Sequence, residues 1–161
     1  YGGGGGPGGW GCAIVEVPYQ YWKFYGDVSV LQTYYPRMKK YLDYIESRCD
    51  GHLVIREEKG GWCLGDWCPP DNKIEIPNEF VNTYFFIKCL KMCEETADIL
   101  GCPDDKAYFS DLEDVETKAL VREFFNSETG SFCSGVCSRP RARRRENKKE
   151  PYKQVFFTSH L

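Results

Sequence analysis

Along the chain, apolar residues return every three or four positions in four separate stretches, which is the spacing of one helical face. The first is the apolar and aromatic run Ala13 to Tyr25. Pro18 suits the first turn of a helix and not its interior, so this helix is predicted to start near Val17. Gly26 stops it, and Asp27 supplies an N-cap for the next. The second helix is predicted over 28–48, with Val30, Leu31, Tyr34, Tyr35, Met38, Tyr41, Leu42 and Ile45 on its buried stripe. Pro36 inside that stripe predicts a kink or a local break. After Asp50-Gly51 the short run His52 to Ile55 reads as a strand or extended piece, and a long loop follows to Ile76. Pro77-Asn78 opens a third helix, predicted over 78–100, with Phe80, Val81, Tyr84, Phe85, Ile87, Cys89, Leu90, Cys93, Ala97 and Leu100 apolar. Gly101 and Pro103 separate it from a fourth, predicted over 104–125. Its apolar face is read as Ala107, Tyr108, Leu112, Val115, Ala119, Leu120, Val121 and Phe124, before a turn at Asn126 to Gly130.

The order is helix, short turn, helix, long loop, helix, short turn, helix. FYGDVSVLQTYYPRMKKYL and ILGCPDDKAYFSDLEDVETKAL share a plan of apolar residue, Gly, Asp-based cap and apolar stripe, a weak repeat of helical hairpins. Two hairpins bury their inner faces poorly alone, so a larger helical assembly and self-association through the exposed faces are expected. Length agrees with one ordinary domain: 161 residues, 42% of them apolar and 16% aromatic, is no composition for a disordered chain. No run of about 18 apolar residues occurs, so no membrane-spanning helix is predicted. The start, YGGGGGPGGWG, lacks the features of a signal peptide and an initiator Met, and reads as an interior piece of a longer protein.

Charge is divided unevenly. Residues 1–136 carry 13 Lys/Arg against 22 Asp/Glu, whereas 137–161 carry 8 against 2. An acidic body excludes nucleic acid as the expected partner, because phosphate binding needs a basic face. The nine Cys include Cys63 and Cys68, Cys89 and Cys93, and Cys133 and Cys137, with no C-x-x-C among them, and the only His residues are His52 and His160. Zinc sites need two close ligand pairs, so no metal is expected and the thiols read as small buried hydrophobes.

Four segments in order, GGWGCAIVEVPYQYWKFYGDVSVL at 8–31, MKKYLDYI at 38–45, LGDWCPP at 64–70 and ADILGCPDDKAYFSDL at 97–112, resemble the catalytic domain of the α-L-rhamnosidases, glycoside hydrolase family 78. The resemblance implies an all-α fold, two consecutive hairpins of an incomplete (α/α)6 barrel, and a domain over residues 1–133. It implies an inverting hydrolase of terminal α-L-rhamnosyl linkages that uses no cofactor, with a rhamnose-containing glycoside as partner. Inversion needs two carboxyl groups about 6.5–9.5 Å apart, with room for a water between them. In the family the acid lies in an Asp-Glu-Arg stretch before the GGWG segment, and the base lies in a later hairpin. Neither is found in this sequence, so the chain alone is expected to be inactive, with no catalytic residue of its own.

What the resemblance leaves is a sugar-binding wall. Trp10, Trp62 and Trp67 are indoles on Gly-flanked loops, whose flat faces suit the C–H surface of a sugar. Asp66, between Gly65 and Trp67, can accept hydrogen bonds from hydroxyls. Cys12 departs from the family, which usually carries Asp after GGWG. Glu57-Glu58 and Glu94-Glu95 are adjacent acids that point to different faces, so they read as solvated. Asp104-Asp105 reads as a helix cap and first-turn charge. His52 has no nucleophile partner in the sequence. Residues 134–161, with SRPRARRRENKKEP, lack periodicity and read as a basic, disordered and non-homologous tail.

Overall fold

A computed structural model describes residues 6–55 and 76–132. It contains helices α1 (Ala13–Tyr25), α2 (Val28–Glu46), α3 (Asn78–Ile99) and α4 (Pro103–Phe124). Two very short hairpins accompany them, β1 (Cys49–Asp50) with β2 (Leu53–Val54), and β3 (Phe125–Asn126) with β4 (Ser131–Phe132). Both pair antiparallel, Cys49 opposite Val54 and Phe125 opposite Phe132. The helices form two consecutive hairpins, α1–α2 and α3–α4, as the repeat predicts.

The turn between α1 and α2 follows its sequence closely. Gly26 takes the left-handed conformation at φ 69°, its N–H bonding the Trp22 carbonyl, and the Asp27 carboxylate accepts the Ser29 N–H at 2.9 Å. Gly101 ends α3 in the same way at φ 71°. The predicted α2 stripe is the buried one, with Leu31, Tyr35, Met38, Leu42 and Ile45 all in the core. This helix runs through Pro36 without a break, and that ring faces solvent.

The start of α1 differs from expectation. It begins at Ala13, four residues before Val17, and contains Pro18 in its interior. The turn before it explains this: the N–H groups of Cys12, Ala13 and Ile14 bond the carbonyls of Gly8, Trp10 and Gly11, so helical winding is already under way when the chain reaches Pro18. Pro18 is buried beside Val15 and Tyr19, and its apolar burial offsets the hydrogen bond that its ring removes.

Helix α3 is the centre of the molecule and packs against α1, α2, α4 and β2. Phe86, Ile87, Cys89, Leu90, Met92, Cys93 and Ala97 are buried on it, together with the polar Asn82, Thr83 and Thr96. The predicted stripe omits Phe86 and includes Tyr84, which is exposed. On α4 the buried residues are Phe109, Glu116, Ala119 and Leu120, while Tyr108, Val115 and Val121 of the predicted face point outward. Polar ties join the two hairpins: Lys39 and the Tyr35 hydroxyl from α2 donate to Asp105 on α4, at 2.6 and 2.8 Å to its Oδ2. Tyr19 on α1 donates to Glu95 on α3, and Lys23 pairs with the same carboxylate.

Candidate functional site

One end of the bundle carries Trp10, the one residue among the sequence-predicted sugar contacts that lies in the described part of the chain. The loop 6–12 is held there by three contacts with other elements. The Tyr41 hydroxyl of α2 donates to the Gly6 carbonyl at 3.3 Å. Gly8, at φ 97°, lies so close to α3 that a Cβ would sit 2.6 Å from Asn82 Oδ1. A Cβ on Gly9 would sit 3.2 Å from the Phe85 ring. Gly8 is therefore required by close approach to α3 as well as by backbone conformation, and Gly9 by close approach alone. The β1–β2 hairpin joins the same end, since the Val54 N–H donates to Thr83 Oγ1 on α3 at 2.9 Å.

On this fixed loop Trp10 is 72% exposed, an unusual state for an indole whose own backbone is locked. Its neighbour Cys12 is buried, and its thiol donates to the Gly9 carbonyl at 3.0 Å. The Cys89 thiol beside it lowers the Cys12 pKa, while Cys89 itself is pushed strongly up by the Cys12 contact and by burial. Burial alone pushes Cys93 up. Cys12 thus packs inward rather than replacing the carboxylate expected at its place. Glu16 and Lys88 close the rim of this cluster as an ion pair, which helps hold the Lys88 pKa above its ordinary value.

Of the four residues read as sugar contacts, only Trp10 is placed. Trp62, Asp66 and Trp67 lie outside the described residues, as do Glu57-Glu58 and the basic tail. The described chain stops at Ile55, just after β2, and resumes at Ile76, two residues before α3. Glu95 is half exposed, and it also accepts from Tyr19 and pairs with Lys23. Asp104 and Asp105 stand in the first turn of α4 as expected, but no side chain caps that helix. Lys39 and Tyr35 hold Asp105, and they depress its pKa. Among the described residues no group of three or more His, Cys, Asp and Glu is placed to hold a metal ion.

One titratable pair was not legible in the sequence. His52 Nδ1 lies 3.3 Å from Glu116 Oε1, and Glu116 is fully buried. Desolvation pushes its carboxyl up to about 7, with the His52 ring acting the other way. The available signal was the rhythm 109, 112, 116, 119, 120 on α4, which runs through an acid.

Comparison with known proteins follows the same lines. The sequence matches the family described as the bacterial alpha-L-rhamnosidase 6 hairpin glycosidase domain over residues 2–146. An alpha-L-rhamnosidase of Streptomyces avermitilis is 33% identical over 125 residues, covering 78% of this chain and 11% of that protein. One from Alteromonas sp. (strain LOR) is 25% identical over 128 residues, 74% of this chain and 13% of that protein. The chain thus spans little more than a tenth of these relatives. Among solved structures, the Streptomyces avermitilis alpha-L-rhamnosidase complexed with L-rhamnose superposes with a TM-score of 0.68 at 29% identity, covering 78% of this chain and 11% of that one. The enzyme from Dictyoglumus thermophilum gives 0.65 at 25% identity, covering 78% and 14%.

Proposed function

Because the chain belongs to the bacterial α-L-rhamnosidase six-hairpin glycosidase family, we propose that it supplies sugar-binding loops of an inverting hydrolase acting on terminal α-L-rhamnosyl residues. Trp10, Trp62, Asp66 and Trp67 are its binding residues in this reading. The observation that carries it is the exposed Trp10 indole on a loop locked against α3. A flat apolar face held at fixed position is what a sugar ring packs on at low entropic cost. The Asp66 carboxylate adds the acceptor that orients hydroxyls. No carboxylate of this chain is assigned as acid or base. General acid–base groups contribute about 10²–10⁴-fold each, so the 161-residue chain binds without turning over an aryl α-L-rhamnoside.

The test is titration of the 161-residue chain with L-rhamnose, read by tryptophan emission. A saturable change is expected, weakened in Trp10→Ala. In Asp66→Asn the affinity should fall roughly 10- to 100-fold, the worth of a hydrogen bond to a charged group. Unchanged affinity in Asp66→Asn would move that residue from the sugar site to the scaffold. No response to L-rhamnose in the wild type would overturn the binding reading, and robust hydrolysis would overturn the absence of an acid and a base.

A second reading, a non-catalytic hairpin module that associates with another copy of itself, is favoured by the outward face of α1. Val17, Tyr21, Phe24 and Tyr25 are all exposed on one side of that helix. Sedimentation of the chain tests it: a concentration-dependent dimer abolished by Phe24→Lys supports it, and a monomer throughout removes it.

A further inference from the structure

Glu116 has no place in the sugar-binding reading, yet its position is costly for the fold. It lies on the buried stripe of α4 between Phe109 and Ala119, and none of its surface reaches solvent. Oε1 faces His52 Nδ1 at 3.3 Å, and Oε2 has no hydrogen-bond partner among the described residues. A buried acid left half satisfied is a strong liability unless it does something.

His52 is equally unusual. Gly51 and His52 have φ of 58° and 67°, the positive pair of a type I′ turn between β1 and β2. Glycine fills such a position with least strain, and histidine, like asparagine, is among the few other residues that take it. The imidazole is half exposed on the outer side, and its inner edge sits on Glu116. The hairpin therefore carries a strained residue whose polar contact is the carboxylate beneath it. The other charges around Glu116 are accounted for. Glu46, at the end of α2, opposes its ionisation and accepts from the Tyr108 hydroxyl. Lys91 of α3 is engaged by Glu113, one turn earlier on α4.

We propose that His52 and Glu116 form a proton-operated latch on the β1–β2 hairpin, closed when Glu116 is protonated and opening more often as it ionises. Opening the hairpin moves Ile55, the last residue before the stretch of sequence that holds Trp62, Asp66 and Trp67. A coupling of the latch to sugar affinity rests on the binding reading proposed above; the latch itself does not. The direction follows from linkage. A carboxyl that binds its proton more tightly with the hairpin closed than with it open must favour the closed form at acid pH. That advantage is lost as pH rises from the ordinary carboxylate range through about 7. His52 limits the loss by offering a ring N–H to the ionised form.

Amide hydrogen exchange of the 161-residue chain, expressed as protection factors at pH 5.5 and pH 8, tests the latch at residues 49–55. In the wild type, protection there should fall roughly 10- to 30-fold between the two pH values. Glu116→Gln keeps the shape and removes the titration, so its protection should be flat with pH. His52→Asn keeps a residue that tolerates positive φ but removes the imidazole. It should match the wild type at pH 5.5 and lose about tenfold more protection at pH 8. A wild-type pH response that survives in Glu116→Gln, or His52→Asn indistinguishable from wild type at pH 8, would overturn the latch. L-rhamnose affinity is measured in parallel. It should weaken at pH 8 in the wild type and stay constant in Glu116→Gln. A sugar response independent of pH with a working latch would sever the link to residues 56–75. Absence of any sugar response would refute the binding reading while the exchange data still decide the latch.

Discussion

Replacing Gly8 by Ala probes whether the loop bearing Trp10 is held as the structure has it. Two costs are separable. The backbone at φ 97° is a conformation that residues with a Cβ rarely adopt, worth about 1–3 kcal/mol. The added Cβ would also meet Asn82 Oδ1 at 2.6 Å, far inside contact distance. Asn82 is buried, so its amide can move only by repacking the core around it, worth about 1–3 kcal/mol more. The two together predict a loss of roughly 2–6 kcal/mol. Gly26 provides the control: it has φ 69° and nothing within 4 Å of its Cβ position, so Gly26→Ala should cost only the strain, about 1–2 kcal/mol. Urea unfolding followed by helical circular dichroism measures both. A double-mutant cycle with Asn82→Ala isolates the clash, and a coupling of about 1 kcal/mol or more is expected. If Gly8→Ala cost no more than Gly26→Ala, or the cycle showed no coupling, the loop would not be seated on α3 as described.

Two further predictions concern the joints between the hairpins and the core. Asp105→Asn removes the acceptor shared by Lys39 and Tyr35, and should cost about 1 kcal/mol at pH 7, a modest figure because Lys39 is partly exposed. The Asp105 pKa is depressed, so this stability is present above the ordinary carboxylate value and lost as pH falls through the native one. The gap between wild type and variant should therefore close on going from pH 7 to pH 2–3, and a gap independent of pH would refute the pairing. Phe86→Ala, on the inner face of α3, should cost about 3–5 kcal/mol in urea unfolding. A loss below about 1 kcal/mol would place Phe86 outside the core.

Most of the fold could be read from caps and stripes because α2 presents a single apolar face between Asp27 and Ile45. Where a helix is apolar on more than one side, periodicity allows several faces, and tertiary contacts choose among them. On α4 the predicted apolar face mixes Ala119 and Leu120, which are buried, with Tyr108, Val115 and Val121, which are exposed. It leaves out Phe109, the largest buried residue of the helix, and the acid Glu116, which the structure buries on the same side. On α1 the rule that excludes Pro from helix interiors was overridden by a turn that starts winding at Gly8 and by burial of the Pro18 ring. These are failures of local rules against packing, at places where two faces or two starts were locally comparable.

Resemblance assigns roles by motif, and it places Trp10 and the LGDW segment in the binding reading, but it says nothing of residues that belong to no motif. His52 and Glu116 are separated by 64 positions, and each alone looks unremarkable in the sequence. Together they remove each other's anomaly. A histidine at positive φ is explained by the carboxylate it covers, and a carboxylate in a core stripe is explained by the ring that reaches it. Neither explanation works in the other's absence. Gln at 116 relieves the buried charge but leaves His52 at positive φ without a carboxylate partner, and Asn at 52 keeps the turn but leaves the carboxylate uncovered. The pair should therefore be non-additive, with the double variant less destabilised at pH 8 than the sum of its parts, because the second change removes a cost that the first creates. Additive losses would mean that the two residues occupy their places for unrelated reasons.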